Sequence, residues 1–183
     1  LCMIVKNEEK FLEGCLQSVK NVVDQIIIVD TGSTDATIDI ARRFEAEIHS
    51  FEWCDDFSAA RNASILHAAG KWILWMDADE RLIPESIPVL KKLLVDEDGP
   101  VIYRIHIRNY IRKDKGIKLS SAHRLFTNFK GIMFSGRIHE QVSQSAKALN
   151  GEERESDVIL EHLGYALEEY DQHQKDKRNR QLL

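Results

Sequence analysis

The chain has 183 residues, a length for one compact domain that can bury roughly 70% of the surface its unfolded form exposes. Its 25 Lys and Arg against 30 Asp and Glu leave a net charge of −5, which argues against a nucleic-acid partner, and 9 Gly with 3 Pro are too few for a linker-rich chain. The longest apolar run, Trp72-Ile73-Leu74-Trp75-Met76, falls far short of the about 20 residues that a membrane span needs.

The first ninety residues alternate strand and helix signals. Residues 1–5 are apolar and read as a strand. Residues 8–19 carry Phe11, Leu12, Cys15, Leu16 and Val19 at the three-and-four spacing of one helical face. Residues 25–29 are a β-branched apolar run, expected of a strand covered on both faces. It stops at Asp30-Thr31-Gly32-Ser33-Thr34-Asp35, where Ser33 or Thr34 is a candidate cap for a helix to about Phe44. A third, weaker strand is expected over 47–51. An Ala-rich helix follows over 57–69, with Gly70 as its stop. Residues 71–76 form the fourth strand, and Pro84 leads into a helix through Leu94. Short connections between these alternating elements imply parallel strands with right-handed crossovers.

The second half has another texture. Residues 101–111 and 117–126 alternate polar and apolar, as antiparallel strands with one wet face do. A short strand is expected over 131–138, a polar acidic loop over 149–157, a strand over 158–162 and a charged helix over 166–183. The sequence opens directly on a strand and closes without a helix stop signal, so a domain within a longer protein is expected. Cys2, Cys15 and Cys54 have neither zinc nor disulfide spacing and read as small buried hydrophobes, which suits a reducing, cytoplasmic setting.

In open α/β sheets ligands bind outside the carboxyl ends of the strands. Three predicted strands end there in polar clusters: Lys6-Asn7-Glu8, then Asp30, then Asp77-Ala78-Asp79-Glu80. Each cluster alone is ordinary turn chemistry. Together on one rim they suggest a site. Asp77 and Asp79 flank one small residue, and strand alternation would turn both carboxylates the same way if the strand runs that far. Such oxygens suit Mg²⁺ or Mn²⁺ bridging to phosphate. No GxGxxG follows the first strand, against a dinucleotide-binding oxidoreductase. No Gly-rich basic loop stands there either, against a nucleotidyltransferase.

These motifs resemble family 2 glycosyltransferases of the GT-A fold. The residues carrying the resemblance are Ile4 to Glu8, Ile28 to Thr37, Phe57 to Asn62, Ala69 to Glu80 and Phe134 to Glu140. The match is strong to about residue 82 and looser beyond. It implies one catalytic domain over 1–183 with a doubly wound, mostly parallel α/β sheet and an antiparallel acceptor-side part. Residues 1–98 would be the nucleotide-binding half and 99–165 the acceptor side. Residues 166–183, with Tyr165 and Lys177 to Arg180, would begin a helical, tetratricopeptide-like extension.

The resemblance also implies roles. Val5, Lys6, Asn7 and Glu8 would line the base and ribose of a nucleotide-sugar donor, UDP-linked by the likeness to a uridine site. Asp30 would accept hydrogen bonds from uracil or ribose, and Arg61 would reach the base or diphosphate. Asp77 would sit near ribose and metal, Asp79 would bind Mn²⁺ or Mg²⁺, and His162 would complete the metal site. Transfer with inversion needs a carboxylate to take the acceptor's proton, and Glu140 is the positional match. The plain alternatives are a Glu140 pair with Arg137, a surface Arg61 and a structural His162. Arg124 and His139 are secondary candidates for diphosphate and acceptor contacts. The acceptor would be a glycan, a lipid-linked glycan or a peptide, compatible with peripheral membrane association. A nucleotidyltransferase and a non-catalytic nucleotide-sugar or carbohydrate-binding module are the competing classes.

Overall fold

The structure is a computed structural model and describes residues 1–110 and 116–164. The expected extension helix therefore lies outside the described residues. Strands β1 (Cys2–Val5), β2 (Ile27–Asp30) and β3 (Glu47–Ser50) pair in parallel in the order β1-β2-β3. A second sheet has the order β4-β7-β6-β8-β5, from β4 (Trp72–Leu74), β7 (Ile117–Thr127), β6 (Val101–Tyr110), β8 (Glu152–His162) and β5 (Glu80–Leu82). In it β6 pairs antiparallel with β7 and parallel with β8, while β4 and β5 pair antiparallel with β7 and β8. A parallel bridge between Cys2 and Trp75 joins the two sheets. The fold is thus α/β: the all-parallel sheet lies in the first half, and the second sheet is antiparallel except for the β6–β8 pair.

Alternation along these strands builds two cores, one on each face. Met3, Val5, Ile28, Leu74, Met76, Tyr103 and Leu125 face one, with Leu12, Cys15, Leu16 and Val19 of α1 (Leu12–Val19). Cys2, Ile27, Ile73, Trp75, Ile102 and Phe126 face the other, with Phe134 and Val142. Strand neighbours therefore point to opposite cores, as a sheet covered on both sides requires. Helix α2 (Thr37–Arg43) lies beside α1, and α3 (Phe57–Leu66) lies against β1 and β2. The remaining helices are α4 (Ile87–Leu93), entered by a 3-10 turn at Pro84–Ser86, and α5 (Ser143–Ala148).

Several expectations are corrected. Helix α1 starts at Leu12, because Asn7 takes a left-handed backbone (φ 55°) and residues 8–11 form a turn closed on Glu8 O. Neither Ser33 nor Thr34 caps α2. Asp35 accepts from Thr37 N instead, and Ser33 Oγ accepts from Asn7 N. Helix α3 ends at Leu66, not at Gly70. Asn128 Nδ2 donates to Ala68 O and Gly70 O, and Ala69 N donates to Gln25 Oε1, so the last residues bond outward. No strand fills 131–138, where positive φ at Gly131 and Gly136 bends the chain and only Ser135 bridges to Gln141. Of the acidic loop expected over 149–157, residues 152–157 are instead the first half of β8. Cys54 is exposed, and only Cys2 and Cys15 are buried.

Candidate functional site

Strands β4 and β5 follow each other in sequence yet lie at opposite edges of their sheet. Residues 75–79 run between those edges, and they carry Asp77 and Asp79. The strand ends at Leu74, so strand alternation does not reach the two carboxylates, and they take different partners. Asp77 Oδ1 accepts from Arg61 Nη2 at 2.7 Å and its Oδ2 from Arg124 Nη2 at 3.0 Å. Asp79 Oδ2 instead lies 3.1 Å from His162 Nε2. Burial alone would raise the Asp77 carboxyl, but Arg124 and Arg61 outweigh it and hold it well below the usual carboxylate range.

A cavity of about 400 Å³ opens at this point. It brings together Val5, Lys6 and Glu8 from the end of β1, Arg61 from α3, Asp77 and Asp79, and Glu140 and His162 from the second half. Asn7 and Asp30 are not among its lining residues. Asn7 Oδ1 accepts from Thr34 N at 2.8 Å, and the Asp30 carboxylate accepts from Gly32 N and Ser33 N, so both knit the turn after β2.

Arg61 is no surface residue. It is 6% exposed, and its Nε donates to Glu140 Oε1 at 2.5 Å while Nη2 holds Asp77. Its guanidinium and that of Arg124 lie 4.0 and 3.6 Å from the centre of the Trp75 ring. An indole takes cations favourably over its face, which lets two like charges share one buried place. Arg124 Nη2 also donates to Glu80 Oε1 at 2.6 Å, so Arg124 serves this buried network. Burial pushes the Glu80 carboxyl up to about 7, against the pull of Arg124. Arg137 does not hold Glu140; its Nε donates to Asp55 O.

Thr31, Trp53 and Phe57 are among the lining residues outside the expected set. Thr31 donates from Oγ1 to Val5 O at 3.0 Å. Trp53 and Phe57 meet edge to face at 4.8 Å and wall the cavity; Trp53 is half-buried here, not core. The signal was two aromatics four apart, one before a capped helix and one opening it, since Asp56 accepts from Ala59 N at the start of α3.

Asp79 Oδ2 and His162 Nε2 bring one hard oxygen and one imidazole nitrogen side by side. That donor set suits a divalent cation, Mn²⁺ better than Mg²⁺, with phosphate and water completing the shell. Among the described residues no group of three or more His, Cys, Asp or Glu is placed to hold a metal ion. The backbone leaves room for the Asp79–His162 pair. A Cβ built at Gly164 would collide with Asp79 Oδ2 and lie 3.1 Å from His162 Nε2.

Comparison with known proteins identifies the family and the fold. Residues 1–150 match the model of Glycosyl transferase family 2. The chain is 38% identical over its whole length to a TPR repeat-containing protein of Synechococcus elongatus, covering 46% of that protein. It is 34% identical over 76% of its length to the SPbeta prophage-derived glycosyltransferase SunS of Bacillus subtilis, covering 33% of SunS. The chain thus spans less than half the length of these relatives. Its fold is similar to that of glucosyl-3-phosphoglycerate synthase from Mycobacterium tuberculosis, solved with Mn²⁺ and uridine-diphosphate-glucose. There the TM-score is 0.60 at 16% identity, over 98% of this chain and 74% of that one. Among the described residues no helix is long and apolar enough to cross a membrane.

Proposed function

This chain belongs to Glycosyl transferase family 2, and from that premise we propose that it moves a sugar from a UDP-linked donor to an acceptor, with a divalent metal and with inversion. The observation that carries the reading is the single cavity where the end of β1, the Asp77–Asp79 segment and Glu140 meet. Val5, Lys6 and Glu8 would face the nucleotide, and Asp77, fixed by two arginines, would present its carboxylate edge to the ribose. Asp79 and His162 would hold the cation, which neutralises charge on the departing diphosphate. Glu140 would take the acceptor's proton as the new glycosidic bond forms. Arg61 holds its Oε1, which leaves Oε2 as the oxygen for that proton.

The acceptor class stays broad, a glycan, a lipid-linked glycan or a peptide. A cytoplasmic setting suits three free thiols. The test is a thermal-shift panel of nucleoside diphosphates with and without Mn²⁺, followed by UDP-sugar hydrolysis. A ligand that binds only the native state raises its stability by mass action. UDP with Mn²⁺ should stabilise more than GDP or ADP, and Mn²⁺-dependent release of UDP should follow. Equal shifts for all nucleotides would remove the uridine assignment. Binding without turnover would favour a non-catalytic module.

A further inference from the structure

His162 offers its two ring nitrogens to two different partners. Nδ1 lies 2.8 Å from Asn109 Oδ1, and Nε2 lies 3.1 Å from Asp79 Oδ2. Which nitrogen carries hydrogen depends on which end of the Asn109 amide faces the ring. The other end of that amide decides it. Asn109 Nδ2 lies 3.0 Å from Lys118 O, 3.3 Å from Ile107 O and 2.9 Å from Ser120 Oγ. Two of those partners are carbonyl oxygens, which only accept, so the amide nitrogen belongs among them and Oδ1 faces His162. Nδ1–H therefore donates to Asn109, and Nε2 is the nitrogen turned toward Asp79.

The fold holds this arrangement from both sides. Asn109 sits on β6, paired with Lys118 of β7 and with His162 of β8. It is 8% exposed, next to buried Ile107 on its own face and opposite the exposed Lys118 of β7. Burial of this amide is tolerated because its hydrogen bonds are made inside the sheet, and those bonds fix the direction of Oδ1.

We propose that Asn109 is a positioning residue that locks His162 with Nε2 toward Asp79, presetting the nitrogen–oxygen pair that receives the divalent cation. The inference rests on the metal reading proposed above and adds to it the residue that sets the pair. It explains why a polar side chain is buried one strand away from the cavity. Outer partners of this kind fix the ring orientation of a ligating histidine, and losing one typically weakens metal binding about 10–100-fold.

The test measures Mn²⁺ binding by electron paramagnetic resonance, with UDP present, in the full chain and its variants. Asn109→Ala should weaken Mn²⁺ affinity by about 10–100-fold while UDP affinity without metal holds. Asn109→Asp keeps an acceptor for Nδ1–H but loses the donors to Lys118 and Ile107. It should therefore lose thermal stability as the alanine variant does, yet retain most of the Mn²⁺ affinity. With Cd²⁺ as a diamagnetic probe and ¹⁵N-labelled histidine, the cation should sit on Nε2 in the parent and divide between ring nitrogens in Asn109→Ala. If Asn109→Ala does not fold, Asn109→Ser, whose hydroxyl is too short for the ring, takes its place. Unchanged Mn²⁺ affinity in the folded variant overturns the proposal, as does equal weakening by alanine and aspartate. Should His162→Ala and Asp79→Ala leave Mn²⁺ affinity at the parent's value, the metal reading itself falls and the positioning role with it.

Discussion

Strands β1, β2 and β3 are four residues long, and the first two are almost entirely buried; β6, β7 and β8 run ten or eleven residues and are buried only over part of their length. The two halves place their functional groups accordingly. In the parallel half the polar groups come after the strands, where the chain must turn and where turn chemistry makes them visible. In the other half Asn109 and Arg124 sit within strands, in positions where alternation expects either an apolar or a solvated side chain. A strand covered on both faces has no place for chemistry except its tip. A strand with a wet end can turn one polar residue inward and let its neighbours stay in water.

The halves meet at Arg61, which joins Asp77 of the crossing segment to Glu140 of the second half. The largest expected effect is therefore at Glu140. Glu140→Gln keeps the size and a hydrogen-bond acceptor for Arg61 but no longer takes a proton at neutral pH. General-base assistance contributes about 10²–10⁴-fold, so turnover should fall by that order while donor affinity holds. Steady-state rates and UDP-sugar binding on the same preparation decide it. A variant with near-normal turnover would shift the base to Asp157, which lies exposed on β8, or to Asp114, outside the described residues.

Next in size is the link through Arg124, which reaches from β7 to Glu80 and Asp77. Its side chain is 7% exposed and that of Glu80 is 1% exposed. Removing one partner of a buried pair costs about 3–5 kcal/mol, because it strands the other charge. Arg124→Ala should lose stability of that order in urea unfolding, reduced where Glu80 takes up a proton instead. A variant as stable as the parent would mean that the network carries no part of the join between the halves.

How far the sequence disclosed this molecule follows the same division. Ile27 to Val29, an apolar run stopped by Asp30, could be nothing but a buried strand ending at a turn. Asp77, Asp79, Glu140 and His162 stood out through motif and resemblance, and one cavity holds all four. The parting of Asp77 from Asp79 was not legible, because it depends on where β4 stops and on two arginines distant in sequence. Nor was β5, three residues hidden in the acidic turn, whose pairing with β8 is wholly non-local. Asn109 breaks the inward alternation of Tyr103, Ile105 and Ile107, but one such break near the end of a strand reads as its wet tip. Residues 152–157 misled for a physical reason. Charge there suggests a loop, yet a strand at a wet sheet end is charged when its neighbours carry the opposite sign.

That last point supplies the smallest and most discriminating effect. Glu153 of β8 pairs across the sheet with Arg104 of β6, and His123 Nε2 of β7 lies 2.8 Å from its Oε1. Hydrogen bonds from His123 and then from Arg104 hold its carboxyl below the ordinary value of 4.5. A carboxyl with a depressed folded pKa adds stability above its unfolded value, and that stability is lost as pH falls through the folded value. The side chain is 34% exposed, so solvent and salt screen the pair and about 0.2–1 kcal/mol is expected. Glu153→Gln should therefore destabilise the protein by that amount at neutral pH and low salt. The gap between variant and parent should close below pH 4.5, where the parent loses the same charge, and it should narrow in high salt at any pH. A charged loop would show none of this, because its carboxylates gain nothing from folding. Urea unfolding of both proteins at pH 7 and pH 3.5 separates the two, and equal stabilities at pH 7 would mean that the charges of β8 are solvated rather than paired across the sheet.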